Sequence, residues 1–191
     1  PQKMLDALEN FEFDIATFEE QLDRFIEMFE LALAEQKMDE VVKRLEKLAE
    51  EQAAIVEEMS QNDNMDLTKL ASRERRQEEN FKSLEQSMAD AAEAMEKLSP
   101  EASQQLSDLA ESELTESTKS DINEARTKMQ NQNQPSASQS ASQASGGLAE
   151  MLEMAQNIQS QFQEDTVDEM LRKFLALIRN LLYISQEQEN L

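Results

Sequence analysis

The apolar residues between Leu31 and Met59 leave this chain little choice of fold. Leu31, Ala34, Met38, Val41, Leu45, Leu48, Gln52, Ile55 and Met59 follow one another in alternating steps of three and four. That is the a/d spacing of a coiled-coil seam, with Gln52 its single polar member. A helix carrying it is a rod of roughly 43 Å at about 1.5 Å per residue. An apolar stripe of that length is not stable in water, so another helix must lie on it.

A second stretch repeats the pattern. Leu67, Leu70, Glu74, Gln77, Phe81, Leu84, Met88, Ala91, Met95 and Leu98 again alternate by three and four, interrupted by Glu74 and Gln77. Between the seams lies a polar segment, 60–66, rich in Asn and Asp, and its last residue, Asp66, suits a helix N-cap. Two long seams joined by a short turn predict an antiparallel helical hairpin, with helices over about 17–60 and 66–98. If buried, Gln52, Glu74 and Gln77 are placed to fix the register of that pairing; the alternative is that these turns face solvent.

Glycine supports the same fold class. The chain holds two, the adjacent Gly146 and Gly147, and three prolines, too few for the turns of a multi-stranded sheet. The reading is all-α: an elongated antiparallel hairpin or coiled coil with additional packing helices.

The flanks predict the rest. Met4, Leu5, Leu8 and Phe11 suit a short helix, and Phe11–Ile15 reads as a corner. Asp14 or Thr17 suits the N-cap of the next helix, and Thr17-Phe18-Glu19-Glu20 fits a capping box. The stripe Phe18, Leu22, Phe25, Phe29 is out of phase with the seam starting at Leu31. Phe25, Ile26, Met28, Phe29, Leu31 and Leu33 together cover most of the helix circumference, which predicts burial on more than one side. Ser99-Pro100-Glu101 restarts the chain as a third helix with a weaker stripe: Ala102, Leu106, Leu109, Ile122, Ala125 and Met129. Its Ser- and Thr-rich middle, 112–120, lowers helix propensity.

Residues 130–147 (QNQNQPSASQSASQASGG) have no large apolar side chain and read as a disordered low-complexity linker. The expected organisation is therefore a hairpin plus third helix over 1–129, the linker over 130–147, and a C-terminal helical pair over 148–191 packing back on the hairpin. The first helix of the pair carries Leu148, Met151, Leu152, Ala155, Ile158 and Phe162. The second is opened by a Thr166–Glu169 capping box and carries Met170, Leu171, Phe174, Leu175, Ile178, Leu181 and Leu182. Apolar on nearly all faces, it is expected at the centre of a bundle, against the Phe25–Leu33 turn. Pro1 at the start, and a capping box over 185–188 with no helix after it, point to a piece of a longer protein.

Charge and missing residue types exclude several kinds of chemistry. The net charge is −23, from 41 acids against 18 bases. Phosphate backbones and anionic membrane surfaces are repelled by such a chain, so no nucleic-acid partner is expected. Cys and His are both 0, which removes disulfides, thiolate nucleophiles, the usual zinc ligands and the Glu-x-x-His motif of di-iron bundles. Asp63-Asn64-Met65-Asp66 lacks the spacing of a calcium loop. Adjacent acids such as Glu19–Glu20, Glu50–Glu51, Glu57–Glu58 and Glu78–Glu79 point about 100° apart on a helix and form no acid/base dyad. Arg73, Arg75 and Arg76 sit among Glu74, Glu78 and Glu79, at spacings that predict ion pairs within the helix. The 11 methionines fall mostly on seam positions and read as core. The run 170–184 is too short and too charged to span a membrane. No catalytic residue, cofactor, metal or small-molecule substrate is expected.

The stretches LDALENFEFDIATFEEQLDRFIEMFELALAEQKMDEVVKRLEKLAEEQ (5–52) and LRKFLALIRNLLYISQEQENL (171–191) resemble the helical region of large membrane-anchored bacterial proteins, of Bacteroidetes and Chlorobi type, that form a domain-of-unknown-function family. The resemblance implies a larger parent in the cell envelope. It brings no activity and no catalytic motif, and it leaves the side of the membrane open. The expected function is a non-enzymatic structural spacer or protein-interaction coiled-coil module. Its partners would be other helices of the parent chain or a second copy. The alternative is a chaperone-like or lipid- and apolar-client-binding bundle that opens to expose its Met/Leu-rich face.

Overall fold

The structure, a computed structural model, describes residues 2–61 and 65–189, with side chains for 18, 19, 21–61 and 65–167. Every described element is a helix: α1 (Gln2–Gln61), α2 (Leu67–Met95), α3 (Pro100–Ala110), α4 (Glu113–Gln130) and α5 (Gln134–Glu189). The chain runs up α1, down α2, up through α3 and α4, and down α5. α1 and α4 sit at opposite corners, each packed against α2 and α5. This is a four-helix bundle with short connections.

The expected hairpin of α1 and α2 forms. Leu31, Met38, Val41, Leu45, Leu48, Ile55 and Met59 of α1 are buried, as are Leu67, Leu70, Phe81, Leu84, Met88 and Met95 of α2. Leu98, just past α2, is half-buried against the same core. Asp66 caps α2, accepting from the Thr68 and Lys69 amides at 3.0 and 3.1 Å. Ser99 caps α3 ahead of Pro100.

Residues 130–147 are not a linker. The break between α4 and α5 is confined to Asn131–Asn133, and Gln134 already begins α5. Gln132 takes φ 56°. The Asn133 amide donates to Lys128 O at 2.9 Å and the Gln132 amide to Met129 O at 3.1 Å, which is the paired closure of a Schellman turn. The Asn133 carboxamide oxygen then accepts from the Ser136 amide at 3.4 Å, with Pro135 in the first turn where its missing N–H costs nothing. Ala137, Ala141 and Ala144 are fully buried, in phase with Leu148, Met151, Ala155, Ile158 and Phe162. The segment is ordered by close backbone approach, which small side chains permit, rather than by large ones.

Two expected helix starts are also absent. α1 runs without a break through Phe11–Ile15 and Thr17, since no Pro or Gly interrupts it. α5 likewise runs through Thr166. The Thr166 hydroxyl donates back to Phe162 O at 2.8 Å, so it is satisfied inside the helix and caps nothing. The expected division at 148 and the C-terminal helical pair therefore collapse into one helix. The third helix is instead split in two, because Ser112 caps α4 by accepting from the Thr115 amide at 3.2 Å.

The Phe25–Leu33 turn is not enclosed as expected. Phe25, Ile26, Met28, Phe29 and Leu33 are about half exposed or more, Phe29 the most at 75%. For Phe25–Phe29 the reason is length: α2 ends at Met95, level with Glu30, and leaves this part of α1 without it. The side chains of Met170, Leu171, Phe174, Leu175, Ile178, Leu181 and Leu182 lie outside the described residues, as do those of Thr17 and 185–188.

The α4–α5 contact generates a paired prediction. A Cβ at Gly147 would fall inside the Thr118 hydroxyl and within 3.1 Å of Thr118 Cβ, whereas nothing lies within 4 Å of one at Gly146. Gly147→Ala is expected to lower stability by about 1–3 kcal/mol, through forced separation of the helices. Gly146→Ala is expected to raise it by about 0.5–1 kcal/mol, through the unfolded chain's entropy. Chemical unfolding of the two variants checks both signs.

Candidate functional site: a buried polar layer

The bundle interior is two apolar clusters, not one. The larger includes Leu31–Leu48 of α1 and Phe81–Met95 of α2, with the Ala144–Phe162 side of α5. The smaller holds Ile55, Met59, Leu67, Leu70, Ala71, Ala125, Met129, Ala137 and Ala141. Between them lie Gln52, Glu74 and Gln77, each at most 1% exposed. These are the three polar residues that interrupt the seams, and the structure buries all of them.

They are connected to one another and to the backbone. The Gln52 carboxamide N–H donates to Glu74 Oε1 at 2.7 Å and to Ala141 O at 3.4 Å. The Gln77 carboxamide N–H donates to Leu48 O at 2.8 Å and to Gln52 Oε1 at 3.3 Å. The layer therefore ties α1, α2 and α5 at one level. Glu74 Oε2 has no hydrogen-bond partner among the described residues. A buried carboxylate with one oxygen unpaired is costly when charged. Burial accordingly pushes the Glu74 pKa up to about 7, against the lowering effects of the Gln52 hydrogen bond and of nearby Arg73; Glu51 pushes in the same direction as burial.

Arg73 closes the layer on the α1–α2 side. Its guanidinium donates to Glu51 at 2.8 Å and Glu58 at 2.6 Å, two helical turns apart on α1, with Glu51 next to Gln52. The hydrogen bond to Glu51, followed by the two charges, holds its pKa above the ordinary value despite partial burial. The expected pairing within the helix holds for Arg75 with Glu79 at 3.3 Å, but Arg73 crosses to α1. Its position one residue before the buried Glu74 aims it at the α1 boundary rather than along its own helix. On the far side, Lys119 meets Glu85 at 2.7 Å and Arg126 meets Glu78 at 3.4 Å, tying α4 to α2.

Sequence reasoning missed the α5 contribution to this layer. Ala141 O is the layer's second backbone acceptor, after Leu48 O, and Ser140 is buried beside it, accepting from Lys128 at 3.0 Å. The signal was available: Ala137, Ala141, Ala144 and Leu148 step by four, three and four. Among the described residues no group of three metal-ligating side chains comes together. No helix there is long and apolar enough to cross a membrane. Searched against protein-family models, curated proteins and solved structures, the chain gives no match.

Two predictions follow from the layer's geometry. Glu74 binds its proton more tightly folded, at about 7, than unfolded, at the ordinary 4.5. Its protonated form thus adds stability that is fully present below pH 4.5 and is lost as pH rises through about 7. Glu74→Gln, which keeps the neutral shape, is expected to gain on the native chain by about 3 kcal/mol across that window, the equivalent of the shift at 1.36 kcal/mol per unit. Urea midpoints at pH 4.5 and 8 check it; a constant difference contradicts it. Separately, Gln52→Leu strands Glu74 Oε1 and is expected to cost about 1–3 kcal/mol. Replacing Gln52, Glu74 and Gln77 together by Leu is expected to be neutral or stabilising, which thermal melts of both variants will show.

Proposed function

We propose that this chain is a non-enzymatic structural spacer and protein-interaction module built as a coiled-coil arm. One observation carries the reading: α1 is 60 residues long and α5 is 56, while α2 is 29. The four-helix section therefore accounts for about half of the two long helices, and beyond it α1 presents an exposed apolar face from Phe18 to Phe29. A rigid section with an unfinished end is the form expected of a part that holds something at a distance and joins it. The resemblance of 5–52 and 171–191 to bacterial envelope proteins supports a larger envelope parent as its setting.

The exposed face also favours a second reading, a bundle that holds an apolar client or lipid. That reading requires an apolar dye and lipid vesicles to bind the folded chain and change its shape. A chain indifferent to both removes it.

Small-angle scattering tests the spacer. With α1 at 60 residues and about 1.5 Å of rise per residue, the longest dimension of one chain is expected near 90 Å. A rod of that length has a radius of gyration of about 26 Å, against about 16 Å for a compact domain of this size. A value near the lower figure overturns the proposal.

A further inference from the structure

The two long helices continue past the point where the bundle is complete. The ion pair between Glu30 and Lys97 and the Ser99–Asp165 hydrogen bond mark the level at which α2 ends and α3 begins. Beyond it α1 and α5 run on as helices without α2, α3 or α4. Two helices bury one stripe each against one another. α1 carries apolar side chains on more than one side there, and Phe18, Phe25 and Phe29 remain 64, 56 and 75% exposed. Large aromatic side chains left open in this way mark an interaction surface.

Charge identifies what fits it. Residues 18–33 carry five acids and one base, whereas residues 170–186 (MLRKFLALIRNLLYISQ) carry three bases and no acid. One segment is apolar with acidic flanks and the other apolar with basic flanks, and within one molecule a single α5 lies against each α1, antiparallel to it.

We propose that the open face of α1 over 18–33 docks the basic 170–186 segment of α5 from a second copy of this chain. Two overhangs related by a two-fold axis then close a second four-helix bundle in which α1 and α5 alternate, and each acidic segment is flanked by two basic ones. The contact is isologous, so it stops at two copies. It continues the α1–α5 packing of the bundle in the same direction along the helices. This deepens the interaction-module reading by naming its partner, and it rests on that reading.

The test is light scattering in line with size exclusion on the 191-residue chain over a concentration series, with scattering shape measured on the same samples. The native chain is expected at twice 21.8 kDa. Phe25→Ser/Phe29→Ser alters exposed side chains, so helicity and melting are expected to persist while dimerisation weakens by roughly a hundredfold or more. Arg172→Glu/Arg179→Glu is expected to weaken it by roughly tenfold or more, from the other side of the same contact. A native chain that stays monomeric at micromolar concentration overturns the proposal. So does a dimer that either double variant leaves intact, because its interface then lies elsewhere. A monomer that still scatters as a rod leaves the spacer standing without the second copy; a compact monomer removes both.

Discussion

Four heptad faces meeting on one axis is the condition on which the rest of this molecule depends. Each long helix offers side chains in steps of three and four, the spacing that keeps one apolar face turned toward its neighbours. Where all four faces are present, residues such as Met38, Leu45, Phe81 and Met88 are fully buried. Where only α1 and α5 continue, the same type of stripe leaves Phe18 and Phe29 largely in solvent. Burial along α1 is thus decided by what stands opposite, not by local hydrophobicity, and the most aromatic part of the described chain is among its most exposed.

The hairpin was legible in the sequence because its signal comes from large side chains at regular spacing. The Asp66 and Ser99 caps were legible because capping chemistry is local. The segment 130–147 was not, because low hydrophobicity describes both a chain that cannot fold and one whose packing relies on Ala and Gly. Telling them apart needs the phase of Ala137, Ala141 and Ala144 relative to Leu148, and the knowledge that α4 supplies Thr118 against Gly147. Thr166 misled for a related reason: a Thr three residues before an acid looks like a helix start, but its hydroxyl serves equally well within a running helix. Gln52, Glu74 and Gln77 were visible as seam interruptions, yet their burial depended on α5 reaching that level, which the linker reading denied.

The polar layer gives the core an asymmetry that an all-apolar seam lacks. Sliding α2 by one heptad along α1 would bring Glu74 against apolar residues and strip Gln52 of its side-chain partners on α2, at the cost of burying unsatisfied polar groups. The layer thereby specifies one register among several that apolar contacts alone would allow. The Arg73 bridge to Glu51 and Glu58 reinforces that register, since its two carboxylates lie two turns apart on α1.

Because α1 and α5 are antiparallel neighbours, the bundle has a base and a tip. Gln2 and Glu189 belong to the base, and the turns joining α1 to α2 and α4 to α5 form the tip. Sequence joined to either terminus would attach at the base, so within any longer chain the bundle would stand off as a side branch rather than as a link. Tension applied between the two ends would part α1 from α5 turn by turn, as a zip opens, and would reach the overhang first. The compact four-helix section, with its polar layer, would bear load only after the overhang had separated.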